Sequence, residues 1–109
     1  KRCVDGRADY IHLDVMDGQF VPNKTFDHTK IKELRPLTLI PFDAHLMINE
    51  PVKHVHDYID AGSDIITVHA EVCDESSFGE ICDMLNSNQV GIGLAINPDT
   101  ELPQWCYKF

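Results

Sequence analysis

The stretch YIHLDVMDGQFVPNKTF, residues 10–26, carries the pattern that decides the fold. Its first residues alternate between an aliphatic set and a set made of an imidazole, a carboxylate and a thioether: Ile11, Leu13 and Val15 against His12, Asp14 and Met16. Side chains two apart on a strand point to the same side. The pair Asp17-Gly18 that follows is typical of a turn. The pattern predicts a short strand with one buried face, one chemically active face and its functional end at the C-terminus.

Three further runs predict strands of the same kind, and the segments between them predict helices. The strands are expected at residues 10–15, 39–47, 64–71 and 90–96, and the helices at residues 28–34, 51–61 and 76–86. Strands that alternate with helices indicate parallel pairing through right-handed crossovers. In each strand one face is aliphatic while the other becomes polar towards the C-terminal end.

That two-faced pattern distinguishes between the parallel α/β folds. An open doubly wound sheet has helices on both faces, so its strands read apolar throughout. A barrel has helices only outside, and its strands bring catalytic groups to the C-terminal rim. We therefore predict a (β/α)8 TIM barrel. Since such barrels need about 250 residues, the 109 residues are expected to form one partial barrel domain, 1–109, truncated at both ends.

Composition and charge narrow the class of partner. The net charge of -9 disfavours nucleic acids and anionic membranes, although a metal ion or backbone amides can still create a local site for a small anion. No apolar run is long enough to cross a bilayer, and no signal-peptide core follows the first residues. The four cysteines are widely spaced without a Cys-x-x-Cys motif. We expect a cytoplasmic protein with reduced thiols.

Three residues form the candidate metal site. His12, Asp14 and His45 are expected on one face of neighbouring strands, and this donor set suits Zn²⁺, Fe²⁺, Mn²⁺ or Co²⁺. A strand histidine taken alone is more often a hydrogen-bonded core residue, so the hypothesis depends on the coincidence of all three. Asp14, kept ionised beside a cation, could also remove a proton from an activated carbon.

Other side chains on this face have weaker interpretations. Met16 and Met47 are expected to line the pocket, although methionine is usually core filler. Asp43 could orient His45, and a solvated or core-paired carboxylate is an equal alternative. His69 and Glu71 are interpreted mainly as a structural hydrogen bond. Asp17 is interpreted as a turn residue, and His54 and His56 as surface residues.

Four segments together resemble the ribulose-phosphate 3-epimerase family: HLDVMDGQFVPNKTF, FDAHLMINEP, AGSDIITVHAE and GIGLAINPDT. The resemblance implies a ribulose-phosphate-binding barrel in which the four strands are the second to the fifth. It also implies that His12, Asp14 and His45 are metal ligands, that Asp14 is one of two catalytic aspartates, and that His45 and the two methionines Met16 and Met47 contact substrate. The second aspartate and the phosphate-binding loops would lie beyond Phe109.

The activity implied by the resemblance is interconversion of D-ribulose 5-phosphate and D-xylulose 5-phosphate, in the pentose phosphate pathway. Proton abstraction at carbon 3 would pass through an enediolate, and the full-length protein would be a homo-oligomer. The fragment alone is expected to be inactive. Two alternatives stay open: an epimerase acting on D-allulose 6-phosphate, and a non-catalytic metal-binding half-barrel.

Overall fold

The computed structural model describes residues 10–18, 25 and 27–108, and the side chains of this part up to residue 106. The rest of the opening motif, residues 19–24 and 26, lies outside the described part. The strands are β1 (Ile11–Met16), β2 (Phe42–Met47), β3 (Ile65–His69) and β4 (Gly91–Ala95), and the helices are α1 (His28–Leu34), α2 (Val55–Asp60) and α3 (Glu75–Ser87). Short 3-10 turns lie at Arg35–Leu37, Pro51–Lys53, Ala70–Val72 and Gln104–Lys108.

The four strands form one parallel sheet in the order β1-β2-β3-β4. Each strand therefore pairs with its neighbours in the sequence, as consecutive strands of a barrel do. The aliphatic side chains pack against the helices in a single core that includes Leu13, Phe42, Leu46, Val68, Ile31, Val55, Ile81 and Leu85. The opposite face of the sheet holds the polar set. This one-sided burial is the feature that the alternating pattern predicts.

The helix limits follow from local capping. Asp27 accepts a hydrogen bond from the Thr29 N–H (3.0 Å) and starts α1. Asp74 and Ser77 cap each other reciprocally at the start of α3, at 2.7 and 2.9 Å. Each cap satisfies amide groups that the first turn of a helix leaves without an intrahelical partner.

Three sequence-based boundaries need correction. The second strand begins at Phe42 rather than at residue 39, because Pro41 has no N–H to donate to a ladder. The expected helix 51–61 is divided at His54 into a 3-10 turn and α2. The third strand ends at His69, so Glu71 lies on a 3-10 turn and not on the strand.

Two further expectations concern the surface and the membrane. His54 and His56 are exposed, as predicted. Within the described residues no helix is both long and apolar enough to span a bilayer.

Candidate active site

The polar face is built by strand register. His12 pairs with Asp43, Asp14 with His45, and Met16 with Met47 along the β1–β2 ladder. Register partners in a parallel sheet share a face, so these six side chains point to the side away from the helices. On β3, Thr67 lies beside His45 and continues the row. The structure therefore places the predicted side chains His12, Asp14, His45, Met16 and Met47 on one face of the sheet.

Asp14 and His45 are the closest of the predicted ligands. Nδ1 of His45 lies 3.4 Å from Oδ1 of Asp14. Two ligands about 2.0–2.1 Å from a tetrahedral zinc ion are themselves about 3.4 Å apart. The spacing of this pair therefore fits two donors to one cation, and the donor types, imidazole and carboxylate, fit Zn²⁺, Fe²⁺ or Mn²⁺.

His12 is on the same face but faces a different partner. Its Nδ1 lies 3.1 Å from Oδ2 of Asp43, and its side chain is 67% exposed. With Nδ1 donating to this carboxylate, the lone pair of the neutral ring is on Nε2, the nitrogen left to hold a metal ion. Across residues 10–18, 25 and 27–108, no three His, Cys, Asp or Glu side chains are grouped closely enough to hold a metal.

Asp43 contacts His12 and not His45. Besides His12 it accepts a hydrogen bond from the Thr67 hydroxyl at 3.2 Å. The expectation that Asp43 orients His45 is therefore wrong. Residues two apart on a strand are about 6.7 Å apart, whereas neighbouring strands are about 4.8 Å apart, so a carboxylate reaches across the ladder more easily than along it.

His45 is held by a different residue. Its Nε2 lies 2.8 Å from Nε2 of His69, and the two rings are nearly parallel, with centroids 4.9 Å apart and 11° between their planes. Nδ1 of His69 in turn lies 3.4 Å from Oε1 of Glu71. The sequence interpretation predicted structural hydrogen bonds for His69 and Glu71, and this contact is one; the contact of His69 with His45 was not predicted.

The environment sets the charges of this pair. Burial and the neighbouring His45 lower the pKa of His69, so the ring favours its neutral form. Burial alone would raise the pKa of Glu71. Hydrogen bonds from the Thr100 side chain and the Asn97 N–H outweigh it and hold the pKa of Glu71 below its ordinary value. Glu71 is thus a carboxylate at neutral pH.

Asp17, predicted as a turn residue, makes a structural contact that the sequence did not indicate. Its Oδ2 accepts a hydrogen bond from the Asn49 N–H at 2.8 Å, which ties the end of β1 to the loop after β2. Thr25 adds a second tie: its hydroxyl donates to the Asp14 carbonyl and accepts from the Met16 N–H, each at 2.9 Å. These contacts fix the C-terminal tip of β1, where Asp14 is presented.

A parallel sheet with helices on one side and a polar rim at its carboxyl ends defines the class as a partial (β/α)8 barrel. The particular family follows from comparison with known proteins. The model of the family described as "Ribulose-phosphate 3 epimerase family" matches residues 1–109, and the chain belongs to this family. The fold expected from the sequence is thereby confirmed.

Curated relatives agree with the family match. The chain is 42% identical over 95 residues to "Ribulose-phosphate 3-epimerase" of Bacillus subtilis (strain 168), covering 87% of this chain and 43% of that protein. It is 44% identical over 95 residues to "Ribulose-5-phosphate-3-epimerase, chloroplastic" of Arabidopsis thaliana, covering 87% and 34%. It is 43% identical over 102 residues to the Synechocystis sp. (strain ATCC 27184 / PCC 6803 / Kazusa) ribulose-phosphate 3-epimerase, covering 94% and 44%. The chain spans less than half the length of these relatives.

Proposed function

We propose that this chain is part of a longer polypeptide, called the full-length protein below, that interconverts D-ribulose 5-phosphate and D-xylulose 5-phosphate. The family match over residues 1–109 carries the proposal. The facing pair Asp14 and His45, 3.4 Å apart at the rim where barrel enzymes keep their sites, supports it. The chain would be one partial barrel domain, contributing the second to the fifth strand.

Asp14 is the proposed catalytic residue. It is 57% exposed on the open face of the sheet, so its carboxylate can reach a bound sugar and take the proton from carbon 3. Inversion at that carbon needs a second acid on the opposite face of the substrate. That group is proposed to lie in the remainder of the full-length protein, and we therefore expect this chain alone to be inactive.

The remaining pocket roles follow from position. His45 is proposed to contact the substrate as well as a metal ion. Met16 and Met47, paired in register beside the site, would form an apolar wall that limits the access of water to an activated carbon.

A divalent cation, Zn²⁺, Fe²⁺, Mn²⁺ or Co²⁺, is the proposed cofactor. Asp14, His45 and His12 would hold it, His12 through Nε2, the nitrogen that does not contact Asp43. Bound there, such a cation would supply positive charge that stabilises the enediolate oxygens. We further propose a cytoplasmic location and a homo-oligomeric full-length protein.

The test is turnover of both candidate sugars by the full-length protein. We expect a preference for D-ribulose 5-phosphate, loss of turnover on chelation with recovery on adding Mn²⁺ or Zn²⁺, and a decrease of about 10²–10⁴-fold in kcat for Asp14→Asn. Asp83→Asn, an exposed change on α3, is the matched control and should turn over normally.

Two results would overturn the proposal in different ways. A preference for D-allulose 6-phosphate would replace the substrate by the six-carbon ketose phosphate. Absence of turnover of either sugar, in a folded protein that still binds the metal, would favour the non-catalytic half-barrel instead.

A further inference from the structure

A chain of hydrogen bonds crosses the sheet behind Asp14. It runs from His45 to His69 (2.8 Å), from His69 to Glu71 (3.4 Å), and from Glu71 Oε2 to the Asn97 N–H (2.7 Å). It links β2, β3 and the segment after β4. The side chains of His69 and Glu71 are only 7% and 16% exposed. The middle of this hydrogen-bond chain is therefore largely shielded from water.

The hydrogen-bond partners assign the position of each proton. The Asn97 N–H can only donate, so Glu71 accepts there, and its other oxygen accepts from Nδ1–H of His69. With its single ring proton on Nδ1, His69 has its lone pair on Nε2 and accepts from His45 across the 2.8 Å contact. His45 therefore has its proton on Nε2 and its lone pair on Nδ1, the nitrogen 3.4 Å from the Asp14 carboxylate.

We propose that His69 and Glu71 are a positioning pair that holds His45 in the Nε2–H tautomer and keeps its Nδ1 lone pair directed towards Asp14. The purpose of this arrangement, binding of a divalent ion by Asp14 and His45, rests on the proposed function. A bare lone pair facing a carboxylate is an electrostatically poor arrangement, and a cation between the two relieves it. The pair thus prepares the site for a divalent ion through its contact with His45.

The change Glu71→Gln is the sharpest perturbation, because it keeps the size of the side chain and replaces one hydrogen-bond acceptor by a donor. The amide oxygen of the variant must accept from the Asn97 N–H, which leaves its NH2 group facing Nδ1 of His69. His69 then becomes the acceptor at Nδ1 and the donor at Nε2. His45 would have to accept at Nε2 and carry its proton on Nδ1, where the metal ion is expected.

The experiment is performed on the full-length protein. Histidine-selective ¹⁵N NMR, with His45 assigned by comparison with His45→Gln, reports the tautomer before and after addition of Zn²⁺. We expect the Nε2–H form in the unsubstituted protein and a shift towards Nδ1–H in Glu71→Gln. Zn²⁺ affinity, measured by competition with a chelator, should fall about 10–100-fold. Glu80→Gln, an exposed residue of α3, should change neither readout.

A second variant separates positioning from simple packing. His69→Gln keeps an acceptor near the former Nε2 position but removes the link to Glu71. In that background Glu71→Gln should cost no further Zn²⁺ affinity, because the two residues act through one chain of bonds. Additive losses would overturn the proposal.

Two direct results would also overturn it. One is the Nδ1–H tautomer of His45 in the unsubstituted protein. The other is unchanged tautomer and Zn²⁺ affinity in a folded Glu71→Gln variant. Because neither readout requires turnover, a protein that fails as an epimerase but shows the expected tautomers would refute the proposed function and leave the positioning pair intact.

Discussion

Removal of the Arg35 side chain should destabilise the fold, because this residue joins the amino-terminal ends of two strands. Its guanidinium donates hydrogen bonds to the carbonyls that precede β2 and β3 and to a carboxylate: Thr38 O at 2.9 Å, Ile40 O at 2.8 Å, Gly62 O at 3.2 Å and Asp64 Oδ2 at 2.9 Å. It also lies 4.0 Å above the centre of the Phe42 ring. These contacts hold irregular backbone against the base of the sheet.

The magnitude follows from what each contact loses. The three carbonyl hydrogen bonds are partly buried. Loss of each should cost about 1 kcal/mol, because water replaces the guanidinium as the donor. The stacking on Phe42 adds about 0.5–1 kcal/mol. The Asp64 side chain is 48% exposed, so its ion pair adds about 0–1 kcal/mol. Arg35→Ala should therefore lower the free energy of unfolding by about 3.5–5 kcal/mol.

Urea denaturation of the full-length protein measures this loss. Arg35→Lys should lose about half as much, because one ammonium group cannot reach all three carbonyls that the planar guanidinium spans. Lys32→Ala, an exposed cation on α1, should stay within about 0.5 kcal/mol of the unsubstituted protein. A loss below about 1 kcal/mol for Arg35→Ala would refute the reasoning, since that is the range of an ordinary surface ion pair.

Two further perturbations test the local structure. Gly62 has φ +105°, and a Cβ there would lie 2.6 Å from Cδ of Arg35. Gly62→Ala should therefore cost about 1–3 kcal/mol of unfolding free energy, and less in the Arg35→Ala background. Equal costs in both backgrounds, measured by urea denaturation, would contradict the contact. Hydrogen bonds from the backbone N–H and side chain of Ser77 hold the pKa of Asp74 below its ordinary value. The stability that ionised Asp74 contributes is therefore present at neutral pH and is lost as the pH falls through its lowered pKa. The Asp74→Asn variant should lose stability less steeply than the unsubstituted protein between neutral pH and about pH 3. Parallel pH profiles of the unfolding free energy would exclude that cap as the cause.

The sequence was most informative where one local rule acts. The alternation in IHLDVM identified β1 and its two faces, because the side-chain period of a strand is fixed by its backbone. The same rule placed Asp14, His45 and the two methionines on one side. Helix α1 was predicted with the limits that it has, residues 28–34, because Pro36, two residues after Leu34, ends the helical pattern; the structure adds the Asp27 cap at its start.

The pairing of those side chains is a tertiary property. Strand register places Asp43 beside His12 and not beside His45. The sequence alone does not specify how the two strands align. Glu71 lies on the 3-10 turn after β3, and its carboxylate contacts the ring of His69, two residues earlier. The sequence alone thus determined which residues face the rim. Only the packed sheet decided which of them touch, because hydrogen bonds depend on ångström-scale distances between strands that local preferences do not set.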